Sequence, residues 1–178
     1  SGRALLRPEI PTIANCFGDA GYATGVFGKW HLGANYPFRP QDRGFQESVW
    51  YPSSSIPSVP SYWGNDYFDD VYIHNGTEEQ FSGYCTDVFF EEAKAFIKAK
   101  KDVPFFAYIS PNAPHGPLNL PIKYYNQYKD EKKLTEQHKR FYGMVTNIDD
   151  NIKELQSLLK KLKIEKNTIL VFMTDNGT

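Results

Sequence analysis

The chain has 178 residues, 40% hydrophobic and 23% charged, enough for one compact domain with its own core and too apolar for a disordered chain. Its 20 basic and 21 acidic residues nearly cancel, which excludes an electrostatic footprint for nucleic acid. No apolar run is long enough to span a bilayer, and no basic stretch followed by an apolar one marks a signal peptide. The abrupt start at Ser1-Gly2-Arg3 and the stop at Asp175-Asn176-Gly177-Thr178 look like cut ends. Cys16 and Cys85 are too few for a disulfide framework, and neither has the spacing partner of a metal site.

In chain order, Ile13, Cys16, Phe17 and Ala20 recur at helical spacing after a Thr12 cap, with Gly21 closing the helix. Tyr22 to Gly28 reads as a short buried strand. Residues 34–70 hold no period, and their Pro, Ser and Gly punctuation predicts a long irregular loop inside the domain. Tyr72-Ile73-His74 and Gln80-Phe81 flank Asn75-Gly76, a hairpin signal because both turn residues tolerate positive φ. A second helix is expected after a Thr86 cap, with Phe89, Ala93, Phe96 and Ile97 as its buried stripe, and a strand over Pro104 to Ser110. The longest periodic element runs from about Glu136 to Lys163, with Phe141, Val145, Ile148, Ile152, Leu155, Leu159 and Leu162 as its apolar stripe. Thr168 to Met173 is almost wholly apolar, as strands buried on both faces of a parallel sheet are. The alternation of helices and strands predicts an α/β domain with a largely parallel sheet flanked by helices.

The residues just beyond each predicted strand carry the chemistry. Lys29 and His31 come after the first, His115 after the second, Asp175 and Asn176 after the third. Ligands of open parallel sheets bind beyond the carboxyl ends of the strands, so a cation, two imidazoles and two oxygen donors converge on one edge and suggest an anionic substrate beside a hard metal ion. Each piece has a plainer reading: Asp-Asn-Gly is a common turn, His115 between two prolines can simply stiffen a loop, and Lys29 can be a solvated lysine.

The run Gly21-Tyr22-Ala23-Thr24-Gly25-Val26-Phe27-Gly28-Lys29-Trp30-His31-Leu32-Gly33 closely resembles the second signature of the sulfatases, within the alkaline phosphatase superfamily. Asn112-Ala113-Pro114-His115-Gly116-Pro117, Asn147 to Ile152 and Thr174-Asp175-Asn176-Gly177 also resemble sulfatase segments in the same order. The resemblance spans nearly the whole chain and implies an alkaline-phosphatase-like fold, of which residues 1–178 would be a part. It implies that Lys29 binds a sulfate oxygen and the nucleophile, offsetting transition-state charge. It implies that His31 bonds the nucleophile and acts as base when the sulfated intermediate breaks down, and that His115 binds sulfate and helps protonate the leaving oxygen. Asp175 and Asn176 would ligate Ca2+ as a Lewis acid.

The family attacks with a formylglycine made from Cys or Ser in Cys/Ser-X-Pro-X-Arg. Neither cysteine fits, and no serine supplies it. The paired aspartates that complete the family's calcium site are also missing: Asp69-Asp70 precedes the hairpin and Asp149-Asp150 lies on a long helix. Asp175 is therefore expected to pair with Lys29 or water. The function implied is part of a calcium-dependent sulfatase acting on aryl or carbohydrate sulfates, this chain alone being inactive. The alternatives are a phosphomonoester or phosphonate hydrolase of the same superfamily, or a non-catalytic module binding sulfated ligands. The partner expected is a small-molecule or glycan sulfate ester, with no nucleic acid or membrane and with self-association through an exposed sheet edge. Family resemblance places such proteins in the periplasm, in secretions or in lysosomes. Trp50, Tyr51, Tyr62, Trp63, Tyr67 and Phe68 are read as packing of the irregular loop rather than as sugar platforms.

Overall fold

In the computed structural model, residues 5–52, 56 and 67–175 are described. Their architecture is a five-stranded mixed sheet with helices on both faces. The strands are β1 (Ala23–Lys29), β2 (Glu47–Tyr51), β3 (Val71–His74), β4 (Thr77–Gln80) and β5 (Phe105–Ser110), in spatial order β4-β3-β2-β1-β5. The pairs β1–β2 and β1–β5 are parallel, and β2–β3 and β3–β4 antiparallel. The helices are α1 (Ile13–Asp19), α2 (Cys85–Lys100), α3 (Ile122–Tyr125) and α4 (Glu136–Lys161), with 3-10 turns at Pro40–Arg43 and Glu165–Asn167.

Alternation along the strands divides the core. Phe27, Val49, Tyr51 and Tyr72 face α2 and α4, where they meet Phe89, Ala93, Phe96, Met144, Leu155 and Leu159. Val26, Trp50 and Trp30 face the opposite side, with Ala14 of α1 and Phe45. Helices on both faces are what near-continuous apolar strands require.

α1 begins as its sequence predicts. Thr12 accepts from the Asn15 amide at 3.2 Å, and the Asn15 side chain answers the Thr12 amide at 2.9 Å. Gly28 has φ +128, and a Cβ there would meet the carbonyl of Ser110 on β5. Only glycine lets β1 approach β5 so closely just before Lys29. The Asn75-Gly76 hairpin forms as the sequence indicates, with φ +49 and +93 at its turn.

Four expectations need correction. The stretch 34–70 is not wholly irregular, because it holds a 3-10 turn and β2. This strand escapes periodicity since it is five residues long and buried on both faces, its Ser48 included. Thr86 lies inside α2, buried, and Tyr84 takes the N-cap position. The buried stripe of α4 is rotated: Val145 is 40% exposed, whereas Met144, Asn147 and Asn151 are buried. The two asparagines turn inward because their amides donate to Asp87 of α2, at 2.6 and 2.7 Å. Finally, the run Thr168–Met173 is not a strand of the sheet. Ile169, Val171, Phe172 and Met173 are 91, 72, 72 and 77% exposed. An apolar run predicts that burial is favourable, but a strand also needs ladder hydrogen bonds, and among the described residues this segment pairs with no strand of the sheet.

Candidate functional site

The carboxyl ends of β1, β2 and β5 share one edge because the three strands are parallel and adjacent. Gly28 stands opposite Ser110, so the next residues, Lys29 on one side and the Pro111–Pro117 loop on the other, leave the sheet together. The two strand ends are tied directly: Ser110 Oγ donates to the Lys29 carbonyl at 2.8 Å. On the other flank, the Trp30 amide donates to the Tyr51 carbonyl at 3.2 Å.

Lys29 is mostly buried along its stem, its side chain 24% exposed. Its Nζ lies 3.8 Å from Asp175 Oδ2, one of the two arrangements expected for that carboxylate. Asp175 is 79% exposed there, and pairs of this kind contribute only about 0–1 kcal/mol. An anionic ligand can therefore replace the carboxylate at little cost.

His31 is half-buried two residues further on. Burial first, and then the charge of Lys29, hold its imidazole below the ordinary 6.5. At neutral pH the ring is uncharged and able to accept a proton.

His115 is exposed, and its loop is fastened from below. Its amide donates to the Asn112 carbonyl at 3.0 Å, its carbonyl accepts from the Tyr67 hydroxyl at 3.0 Å, and Tyr84 donates to the Asn119 carbonyl at 3.0 Å. Nδ1 sits 2.7 Å from the Gly116 carbonyl. A carbonyl only accepts, so Nδ1 carries a proton and Nε2 is the nitrogen left to meet a ligand.

Tyr67 and Asn112 hold this loop, and sequence reasoning assigned neither a role at the site. Trp50, Tyr51 and Tyr67 are buried, 5% exposed or less, in keeping with packing. Tyr62 and Trp63 lie outside the described residues. The Tyr67-to-His115 bond spans 48 residues, so no local pattern announces it. Asn112 was visible only as a member of its motif.

The metal reading fares differently. Asn176 lies outside the described residues, so Asp175 is the one described residue of the predicted calcium pair. Among the described residues, no group of three or more His, Cys, Asp or Glu is placed to hold a metal ion. Calcium takes six to eight oxygens. Asp175, mostly exposed and leaning on a lysine, supplies at most a small share of these, so the described residues do not by themselves make such a centre, and no chemical step is assigned to a metal. Among the described residues no helix is long and apolar enough to cross a membrane.

Comparison with known proteins converges on one group. A family profile described as Sulfatase matches residues 4–178. An arylsulfatase of Klebsiella aerogenes is 29% identical over 97% of this chain and 48% of its own length. The human N-acetylgalactosamine-6-sulfatase is 32% identical over 89% of this chain and 31% of its own length. Among solved structures, that of Ps i-CgsB superposes with a TM-score of 0.80 at 26% identity, covering 91% of this chain and 39% of the other. This chain thus spans a third to a half of the length of these relatives.

Proposed function

Because the chain belongs to the sulfatase family and has its alkaline-phosphatase-like α/β fold, we propose that it is the part of a sulfuric ester hydrolase that grips the sulfate group. The observation that carries this reading is the shared edge of β1 and β5, where Lys29 is held beside a displaceable carboxylate and His115 lies just past the adjacent strand. In this reading Lys29 Nζ binds a sulfate oxygen and offsets the charge that grows in the transition state. His115, as imidazolium, keeps one proton on Nδ1, donated to the Gly116 carbonyl, and delivers the other from Nε2 to the leaving oxygen. Neutral His31 accepts the proton released when the covalent intermediate breaks down.

The nucleophile would be a formylglycine supplied from outside these 178 residues, which contain no Cys/Ser-X-Pro-X-Arg. Ca2+ would be the parent enzyme's cofactor, with Asp175 and Asn176 as two ligands and the others from elsewhere in the polypeptide. The substrate would be an aryl or carbohydrate sulfate. Relatives named for N-acetylgalactosamine 6-sulfate and a neighbour solved with neocarrahexaose favour the carbohydrate. The family resemblance favours a location outside the cytoplasm.

The test is to assay the longer polypeptide on an aryl sulfate and an aryl phosphate. Lys29→Ala and His115→Ala should each lower sulfate turnover at least ~100-fold, and the 178-residue chain alone should not turn over at all. Faster phosphate than sulfate turnover points to a phosphomonoesterase. No turnover of either, with sulfate binding intact, points to a non-catalytic module.

A further inference from the structure

At the end of the sheet away from Lys29, His74 on β3 stands between two carboxylates. Its Nε2 is 2.8 Å from Glu47 Oε1, on the first residue of β2, and its Nδ1 is 2.7 Å from Glu79 Oε2 on β4. A carboxylate at these distances only accepts. A neutral imidazole carries one proton and one lone pair, so it satisfies one glutamate and turns its lone pair against the other. Only the imidazolium bonds to both.

We propose that His74, Glu47 and Glu79 form a proton-operated latch that closes the β3–β4 hairpin onto β2 when the imidazole is charged and releases it when the imidazole is neutral.

The surroundings make the release effective. β4 has all four residues exposed, so it adds no buried side chain to the hairpin, whose packing on the core rests on Tyr72 of β3. The groups facing His74 are mainly acidic. Glu47 comes from β2 and also accepts from the Asn75 amide at 3.0 Å, while Glu79 comes from β4. Glu92, with Glu91 beside it, faces the cluster from α2. Once His74 is neutral, one carboxylate faces its lone pair, and the group repels itself with one imidazole N–H and the Asn75 amide in compensation.

Burial acts to lower the affinity of His74 for its proton, but the bonds to Glu79 and Glu47 outweigh it, and the net shift is upward from 6.5. The sign comes from linkage: the stabilisation is complete below 6.5 and is lost as pH rises through the folded-state value. Glu92 is also raised, by burial first and then by Glu79 and Glu47. The hairpin is therefore tight below 6.5 and loosens as pH rises through the raised folded-state value of His74. None of this depends on the hydrolase reading.

The test uses the 178-residue chain. A histidine-resolved NMR titration should place His74 above 6.5, and Glu79→Gln should bring it down. Amide exchange over Val71–Gln80, corrected for intrinsic rates, should quicken by up to about tenfold per pH unit across that transition, the limit for one linked proton. His74→Gln should flatten this dependence. A His74 titrating at or below 6.5 in the unaltered chain overturns the latch, and so does an unchanged pH dependence in His74→Gln. Should that variant not fold, the wild-type and Glu79→Gln titrations decide.

Discussion

Tyr67 is fully buried, and its hydroxyl ends on the carbonyl of His115. Burial, far more than any neighbour, pushes this phenol up to about 12, so it stays a donor at any pH at which the protein works. Tyr67→Phe should remove one buried bond and cost about 0.5–1.5 kcal/mol in a urea titration. It should also loosen the loop carrying His115, seen as faster exchange of the His115 amide. An unchanged exchange rate would mean that the loop is held by Asn112 and Tyr84 without Tyr67. A second residue-scale expectation concerns His31. Burial and Lys29 act in the same direction on it, so its NMR titration in this chain should have a midpoint below 6.5. Lys29→Met should move that midpoint part of the way back. A midpoint at or above 6.5 contradicts the neutral-base role. Lys29, His31 and His115 stand out in the sequence as candidates because each lies in a distinctive motif just at or past a strand end. Tyr67 was not, since a hydroxyl bound to a distant carbonyl leaves no periodic trace.

Between elements, the polar contacts are the least visible part of the sequence and among the costliest to break. Asp87 lies in the first turn of α2, where its charge suits the helix dipole. In the fold its Oδ1 also takes both amides of Asn147 and Asn151 from α4. Lys94, 7% exposed, makes a second link, 2.6 Å from Glu91 on its own helix and 2.6 Å from Glu154 on α4. The 3.6-residue apolar period located α4 and its length well. It misjudged the rotation because a period counts only apolar residues, while two asparagines with a shared acceptor bury as readily. Asp87→Ala takes the Asp87 acceptor from both amides and strands that of buried Asn147, while Asn151 keeps the Asn147 carbonyl at 2.9 Å, and a loss of about 1–3 kcal/mol is expected by urea unfolding. Asn147→Ala and Asn151→Ala should combine non-additively, since both act on one oxygen. Additive losses would mean that each asparagine acts through packing alone.

At the scale of the whole molecule, the two edges of the sheet are finished differently. β4 closes one edge with Thr77-Glu78-Glu79-Gln80, exposed and acidic, the kind of strand that resists pairing with another chain. β5 forms the other edge with Phe105-Phe106-Ala107-Tyr108-Ile109-Ser110, which carries no charge, and among the described strands it pairs only with β1. The apolar run Ile169–Met173 also stands open, and Asp175 just past its end is near enough to Tyr108 to raise that phenol further, after burial has done most of it. An unguarded strand edge and an exposed apolar run thus belong to the same side of the molecule. Burying each such side chain is worth roughly 1.5–3 kcal/mol, whereas bringing two chains together costs about 4–15 kcal/mol. Five apolar residues and a strand ladder exceed that cost only moderately, so association should be weak and concentration-dependent rather than obligate. Light scattering of the 178-residue chain should show a mass that rises with concentration. Ile169→Lys with Phe172→Lys should hold it at the monomer mass without lowering the unfolding midpoint, because neither side chain is packed. A wild-type chain that stays monomeric at every concentration tested, or a double variant that associates equally well, would rule out this face as the cause.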